Sequence, residues 1–199
     1  MATDLSNIEN LFDEKKSIQK DHHSQTPCSF PINRENLFGD IYKKAEQMGI
    51  TIDPLDIRAI ASHIFNVKII EKDLGKSASG FLEKIGDKWC VYINKYENET
   101  RKRFTIAHEL AHLIFHSEKY SKSDNSLRDQ IFFRDENTSP LEKQANDFAS
   151  ELLMPEGLFQ RYIKEGDNTI IKLAERFNLS TAAVKYRAYK LGLISRYEL

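Results

Sequence analysis

The segment HELAHLIFH, residues 108–116, places three histidines and one glutamate within nine positions. His108 and His112 are four residues apart, so on a helix they lie one turn above each other on one face. Two imidazoles in that relation can bind one metal ion, and Glu109 lies at the edge of the same face. Zinc lowers the pKa of a coordinated water, and a nearby carboxylate can take its proton. The HExxH spacing therefore predicts a zinc hydrolase centre with Glu109 as general base.

The residues around the motif distinguish a metal site from an ordinary solvated helix face. Charged and amide side chains would flank a solvated face, whereas here the flanking residues are apolar: Ile106, Ala107, Leu110, Leu113 and Ile114. Burying two histidines and a carboxylate without partners costs several kcal/mol, and a metal ion removes that cost. His116 is eight residues beyond His108, which is about 12 Å of helix. We therefore interpret His116 as a neighbour of the ligands or a helix-terminal residue, not as a third ligand.

A third protein ligand is needed, because a catalytic zinc ion has three protein ligands and one open position. SPLEKQANDFASELLMP, residues 139–155, has apolar residues at helical spacing. Glu142 lies in the first turn and can bind zinc, while Asn146 one turn later can accept a hydrogen bond from a ligand imidazole. Ser139 and Glu142 also fit a capping box. Other carboxylates compete for the same role, and spacing alone leaves the choice open: Glu136, Asp147 and Glu151.

Composition narrows the class of protein. The chain has 199 residues and a formal net charge of −1, so bulk charge predicts neither nucleic-acid nor membrane binding. Its two cysteines, Cys28 and Cys90, form no CxxC pair, which argues against a disulfide framework and a cysteine zinc site. No apolar run reaches about 18 residues, and the N-terminus lacks the apolar stretch of a signal peptide. We therefore expect a cytoplasmic protein that does not bind membranes.

Helices and strands must position the motif. Apolar residues in segment 35–48 have helical spacing, and Gly49 is expected to end that helix. Asp53 is expected to cap a second helix with Pro54 at its first position, and Thr100 to cap the histidine helix.

Two segments have the composition of β-strands. VKIIE, residues 67–71, is rich in β-branched residues and predicts a strand, and residues 80–94 predict a hairpin that turns at Gly86-Asp87-Lys88. In the second strand of the hairpin, Trp89, Val91 and Ile93 are expected on one face and the alternate residues on the other.

The two site segments together resemble a known family. FTIAHELAHLIFH, followed at residues 142–155 by ExxANxFAxxLLMP, resembles the ImmA/IrrE family of zinc-dependent endopeptidases, and the likeness covers roughly residues 35–195. The resemblance implies an α+β fold with a thermolysin-like, gluzincin-type core, in which the site helix lies against a small twisted sheet. It also implies that His108, His112 and Glu142 are the Zn²⁺ ligands and that Glu109 is the general base.

The resemblance also bears on the substrate. Members of the family are bacterial or phage-borne, and they cleave or otherwise relieve a helix-turn-helix repressor, which implies a protein substrate such as a repressor or an antitoxin-like protein. Ala111 stands where the family typically has glycine, a mild departure because both residues are small. We expect the strand that ends at Asn94 to be a sheet edge on which a substrate peptide pairs. Three residues are candidates to stabilise the oxyanion: His116, Tyr120 and Arg134.

The C-terminal segment predicts a separate helical module. Residues 169–194 have the spacing of a helix-turn-helix, with Asn178 at a left-handed turn and Ser180 as the cap of the second helix. From residue 169 onward there are six lysines and arginines against two glutamates. DNA binding is one interpretation, but we favour packing on the core or repressor docking, because bidentate base readers are few. We divide the chain into an N-terminal arm (residues 1–35), a metallopeptidase core (residues 36–165) and this C-terminal module (residues 166–199).

Two functions from different classes follow from these features. The favoured one is a zinc endopeptidase of narrow specificity. The alternative is a non-catalytic zinc-binding regulator, an anti-repressor or DNA-binding protein that acts through residues 169–199. A toxin partner in a toxin–antitoxin pair is a third and weaker interpretation. Glu109→Gln separates the first two, because it abolishes function only if hydrolysis is required.

Overall fold

The computed structural model describes residues 36–76, 78–120 and 139–195. The predicted N-terminal arm lies outside these ranges. Within them the fold is mixed α+β, as expected, with seven α-helices and three strands. In chain order these are α1 (Leu37–Gln47), α2 (Ile57–Ala59, continued by a π-helix, Ile60–Ile64), β1 (Val67–Lys72), β2 (Gly80–Ile85), β3 (Lys88–Asn94), α3 (Glu99–Tyr120), α4 (Pro140–Leu153), α5 (Glu156–Lys164), α6 (Ile170–Phe177) and α7 (Thr181–Lys190).

The starts of α2 and α3 differ from the prediction. Asp56, not Asp53, caps α2, because its side chain accepts the Ala59 N–H at 3.0 Å. The Asp53 carboxylate instead binds Arg161 of α5, at 2.5 Å. By contrast, α1 ends as predicted, with Gly49 in the left-handed region at φ +67°.

Helix α3 begins at Glu99, two residues earlier than it would begin with Thr100 as its cap. The side-chain oxygen of Asn98 accepts the Arg101 N–H at 2.9 Å, so Asn98 supplies the cap. Thr100 lies inside the first turn and donates its hydroxyl to the same oxygen at 2.8 Å. The prediction of Thr100 as the cap is therefore wrong.

The three strands form one sheet in the order β1-β3-β2. β2 and β3 are antiparallel and form the predicted hairpin, but the turn consists of Gly86 and Asp87, since Lys88 already belongs to β3. β1 pairs parallel with the other side of β3, from Val67 opposite Trp89 to Lys72 opposite Asn94. The strand that ends at Asn94 is therefore central, and the prediction that it is a sheet edge is wrong. Within the described residues, the edges are β1 and β2.

The sheet has two buried faces. Trp89, Val91 and Ile93 of β3 belong to the main core together with the apolar residues of α3, as the alternation predicted. On the other face, the rings of Phe81 and Tyr92 stack with centroids 4.6 Å apart.

Helix α3 runs through the centre of this core and is held close to the sheet. A Cβ added to Gly80, the first residue of β2, would lie 2.4 Å from Cγ2 of Thr105 and 2.7 Å from the carbonyl oxygen of Tyr92. Only glycine fits there, so β2 approaches α3 at the turn that precedes the histidines. This close approach places the sheet beside the motif.

The C-terminal helices are built and placed by specific contacts. Asn178 ends α6 in the predicted left-handed conformation, and Ser180 caps α7 through the Ala183 N–H. Two polar residues of α7 bind Asp147 of α4: the Tyr186 hydroxyl donates to its carboxylate at 2.5 Å, and Lys190 contacts it at 2.9 Å. The buried Arg187 donates to the carbonyl of Met154, the residue that follows α4, at 2.9 Å. Burial and the hydrogen bond to Asp147 raise the pKa of Tyr186. α7 is thus docked on α4.

No helix within the described ranges is long and apolar enough to cross a membrane.

Candidate metal centre

Helix α3 carries the HExxH residues into the core. The exposed fractions are 7% for His108, 1% for Glu109 and 2% for His112. The residues that flank them are fully buried, including Ile106, Ala107, Leu110 and Leu113. The apolar surroundings expected from the sequence are therefore present.

The imidazoles converge with a carboxylate from α4. The Nε2 atoms of His108 and His112 lie 3.0 Å apart. The two oxygens of Glu142 lie 3.1 Å from Nε2 of His108 and 3.3 Å from Nε2 of His112. These three side chains offer donor atoms that all lie within 4.8 Å of one another. The three predicted ligands thus meet at one point.

The capping and ligand interpretations of Glu142 prove to be compatible. Ser139 caps α4 by accepting the backbone N–H of Glu142 at 3.3 Å, while the carboxylate of Glu142 points to the imidazoles. The competing carboxylates on α4 face α7 instead, since Asp147 binds Tyr186 and Lys190. Glu151 faces Arg187 at 3.9 Å, and burial raises its pKa. Glu136 lies outside the described residues.

Asn146 contacts a candidate ligand directly, as predicted. Its Oδ1 lies 2.9 Å from Nδ1 of His108. An amide oxygen only accepts hydrogen bonds, so Nδ1 of His108 carries the proton in this arrangement. Nε2 is then the unprotonated nitrogen and presents its lone pair to the point where Glu142 and His112 meet.

His116 lies beside a ligand and is not a third one. Its Nδ1 lies 3.0 Å from Nδ1 of His112, and its Nε2 lies 3.0 Å from Oε1 of Gln144. Sequence reasoning missed Gln144. Helical spacing gives no signal for it, because a residue two positions after Glu142 is turned by about 200° around the helix axis.

The remaining predicted site residues are only partly placed. Glu109 is buried next to His108, and its role as general base stays a prediction. Of the three oxyanion candidates, the structure describes the side chain of His116, which contacts His112. The Tyr120 side chain and Arg134 lie outside the described residues.

The donor set suits a divalent cation. The lone pair of an unprotonated imidazole nitrogen and the oxygens of an ionised carboxylate are all acceptors. Three such groups within hydrogen-bonding distance repel one another unless a positive charge lies between them. Two imidazole nitrogens and one carboxylate are also a ligand set that zinc takes in catalytic sites. The His108, His112 and Glu142 group can therefore hold a metal ion.

Comparisons with known proteins agree with this architecture. A structural search matches a transcriptional regulator of Mycobacterium tuberculosis with a TM-score of 0.53 and 20% sequence identity, covering 77% of this chain and 46% of that one. This likeness concerns the fold, and the chain spans less than half of that protein. A search of curated proteins returned no match.

A family model gives a match at the level of sequence. The model for the IrrE N-terminal-like domain, Peptidase M78, matches residues 63–189, which include the sheet, both site helices and most of α7. This span is more than half of the chain and contains His108, Glu109, His112 and Glu142. The chain therefore belongs to the family of the IrrE N-terminal-like domain, which is a family of metallopeptidase type.

Proposed function

We propose that the chain is a zinc-dependent endopeptidase that cleaves a specific regulatory protein, such as a helix-turn-helix repressor. The observation that carries the proposal is the convergence of His108, His112 and Glu142 next to the buried Glu109. Family membership supports peptidase chemistry. The similar fold of a transcriptional regulator supports a role in transcription regulation.

Each side chain of the site has a defined task in this proposal. When bound, zinc supplies Lewis acidity towards the peptide carbonyl and the attacking water. His108, His112 and Glu142 hold the ion. Glu109 takes one proton from the water as its oxygen bonds to the carbonyl carbon. Glu109 then gives that proton to the amine nitrogen as the C–N bond breaks, so one water is consumed for each bond cleaved.

The outer edge of β2 is the proposed docking edge for the substrate backbone. Within the described residues, β2 pairs on one side only, with β3. Its first residue, Gly80, lies against Thr105, one turn before Glu109 on α3. A peptide that extends the sheet along β2 therefore runs beside the metal centre. β2 replaces β3 in this role because β3 is central.

The C-terminal helices serve as support for α4 in this proposal. The basic residues of α7 are Lys185, Arg187 and Lys190, and two of them are used in packing: Lys190 binds Asp147 of α4, and Arg187 binds the carbonyl of Met154 at its end. We therefore assign the described part of the C-terminal module, residues 166–195, to packing on the core, and we favour a protein partner over nucleic acid.

Metal content tests the ligand set. The wild-type chain is expected to hold about one zinc ion, as three-ligand sites do, and His112→Ala and Glu142→Ala are expected to lose it. Glu151→Ala is the matched control, because Glu151 is a carboxylate of the same helix that faces Arg187. Elemental analysis of the purified proteins measures this. Full zinc in Glu142→Ala would reduce Glu142 to a helix-capping position, and a wild type that takes up no zinc would overturn the proposal.

Glu109→Gln tests the chemistry separately from binding. The variant is expected to keep zinc and to lose cleavage by a factor of about 10² to 10⁴, the usual contribution of a general base. Each chain is co-expressed with helix-turn-helix repressors encoded by neighbouring genes, and mass spectrometry detects the fragments. Relief of repression by Glu109→Gln without fragments would instead support the non-catalytic regulator.

A further inference from the structure

The two histidines of the motif are oriented in different ways. His108 contacts the amide oxygen of Asn146 through its Nδ1. The Nδ1 of His112 faces a second imidazole, that of His116, at 3.0 Å. The Nε2 of His116 in turn lies 3.0 Å from the amide oxygen of Gln144. Each histidine is therefore linked to a side-chain amide of α4. His108 contacts Asn146 directly, and His112 is linked to Gln144 through His116.

The chemistry of the groups fixes the direction of the hydrogen bonds. The oxygen of Gln144 only accepts, so Nε2 of His116 donates to it. Neutral imidazole carries one proton, so Nδ1 of His116 is then an acceptor. Nδ1 of His112 must donate to it, since two unprotonated nitrogens at 3.0 Å repel each other. Nε2 of His112 is thereby left unprotonated and directed at Glu142.

We propose that Gln144 and His116 form a hydrogen-bonded relay that fixes the tautomer and the ring orientation of His112 for metal binding. The proposal rests on the zinc site of the proposed function. In it, His116 and Gln144 are positioning residues that act through His112 and bind neither metal nor substrate. Helix α4 then provides one ligand, Glu142, and two acceptors: Asn146 accepts directly from the ligand His108, and Gln144 accepts from His116.

Burial gives the relay its rigidity. His116 is 4% exposed. Its ring centroid lies 5.2 Å from the ring centroid of His112 and 6.3 Å from that of Phe115. An imidazole buried in this way needs a partner at its ring nitrogens, because an unmatched polar group in the core is costly. Gln144 is on the exposed side of α4, so it can be substituted with little effect on packing. That position makes it the residue at which to test the relay.

Zinc affinity of the full-length chain is the first test. The dissociation constant is measured by competition with a chromogenic chelator for the wild type, Gln144→Leu, Gln144→Glu and Lys143→Leu. Gln144→Leu removes the acceptor and is expected to weaken zinc binding by about 10- to 100-fold, the usual effect of losing a group that orients a ligand. Gln144→Glu keeps an acceptor oxygen and is expected to retain the wild-type affinity. Lys143→Leu is an adjacent exposed control and is expected to leave the affinity unchanged.

Nuclear magnetic resonance of the chain labelled with ¹⁵N-histidine shows which ring nitrogen of each histidine carries the proton. Long-range ¹H–¹⁵N correlations are expected to show a proton on Nε2 of His116 and on Nδ1 of His112 in the wild type. In Gln144→Leu, the Nε2 tautomer of His116 is expected to lose its dominance, a change that a merely structural residue would not produce. A proton on Nδ1 of His116 in the wild type would overturn the direction of the relay.

The outcomes separate the relay from the zinc site itself. If the wild type binds zinc, His112→Ala does not, and Gln144→Leu binds as tightly as the wild type, the relay is wrong and the proposed function stands. Weakened binding in both Gln144→Leu and Gln144→Glu would also overturn the relay, because the acceptor would not be the property that matters. If the wild type binds no zinc, the proposed function fails and the relay fails with it.

Discussion

Helix α3 carries two groups of buried polar side chains that differ in the charges they bring together. Near its start, the amine of Lys102 lies 2.9 Å from Glu71 of β1 and 3.1 Å from Glu99, and its side chain is 8% exposed. Near its middle, the imidazoles of His108 and His112 meet the carboxylate of Glu142. The first place joins a cation to two anions, whereas the second joins groups that are all acceptors.

The pKa shifts of the first region show that its charges stabilise one another. The hydrogen bond from Lys102 lowers the pKa of Glu71, and the hydrogen bond to Glu71 raises the pKa of Lys102. Each group therefore holds its partner in the charged form. At the metal centre, the three described groups that meet are acceptors, and a bound cation would balance them. Buried acceptors that converge in this way therefore indicate a cation site, whereas a buried amine between two carboxylates indicates an ion pair.

The largest expected effect is loss of zinc-linked stability when a ligand is removed. Zinc at 100 times its dissociation constant is expected to raise the free energy of unfolding of the wild type by about 2.7 kcal/mol, because it binds the folded chain. His112→Ala is expected to abolish that increment. Urea denaturation with and without zinc measures it. An equal increment in His112→Ala would mean that zinc binds elsewhere, and the contrast between the two regions would disappear.

The next effect concerns the turn of α3 between the two regions. Gly80→Ala brings a methyl group to within 2.4 Å of Cγ2 of Thr105, so β2 or α3 must shift. We expect the free energy of unfolding to fall by about 1 to 3 kcal/mol, as in other overpacked cores. Adding Thr105→Ser removes the clashing methyl group and is expected to restore part of the loss. A Gly80→Ala chain as stable as the wild type would contradict the close approach of β2 to α3.

A smaller effect is expected at the self-balanced region, which consists of Lys102 and its two carboxylate partners, Glu71 and Glu99. Lys102→Met keeps the length of the side chain but removes its charge, and the carboxylates of Glu71 and Glu99 are 40% and 62% exposed and remain solvated. The expected loss is about 1 kcal/mol, at the upper end for a partly exposed ion pair. Zinc affinity, measured by chelator competition, is expected to stay at the wild-type value. A weaker affinity would show that the two regions are coupled along α3.

The two regions also differ in how far the sequence predicted them. The spacing of His108 and His112 predicted their shared face, and the spacing of Glu142 and Asn146 predicted a candidate ligand and its polar neighbour one turn apart. Each of these relations lies within a single helix, where residue spacing determines geometry. Gln144 was missed because its long side chain reaches His116 from a different side of α4.

Relations between distant segments were harder to predict. The position of β3 in the centre of the sheet depends on its pairing with β1, and neither segment alone indicates that pairing. Asp53 and Asp56 are equally good caps by residue type, and the choice depends on Arg161, which is 108 residues away and binds Asp53. The motifs of the family resemblance contain the candidate ligands that meet in the structure, but they did not reveal which strand is the edge.

The smallest expected effect is the pH dependence of the self-balanced region. The pKa of Glu71 is lower in the folded chain than its usual value of 4.5, chiefly because of the hydrogen bond from Lys102. A lowered carboxyl pKa contributes stability that is fully present above the unfolded value and is lost as the pH falls through the folded value. The difference in unfolding free energy between the wild type and Lys102→Met is therefore expected to be constant near neutral pH and to shrink below the usual pKa of Glu71.

Urea denaturation of the zinc-free proteins at a series of acidic pH values measures this difference. Subtracting the two proteins cancels the titration of the carboxylates that they share, so what remains reports the groups around Lys102. Added salt is expected to reduce the difference at neutral pH, since Glu71 is partly exposed and its ion pair is screened. A difference that stays constant down to acid pH would show that Lys102 stabilises the fold by packing its methylene chain. The balance of charges at the start of α3 would then not explain why Lys102 is buried there.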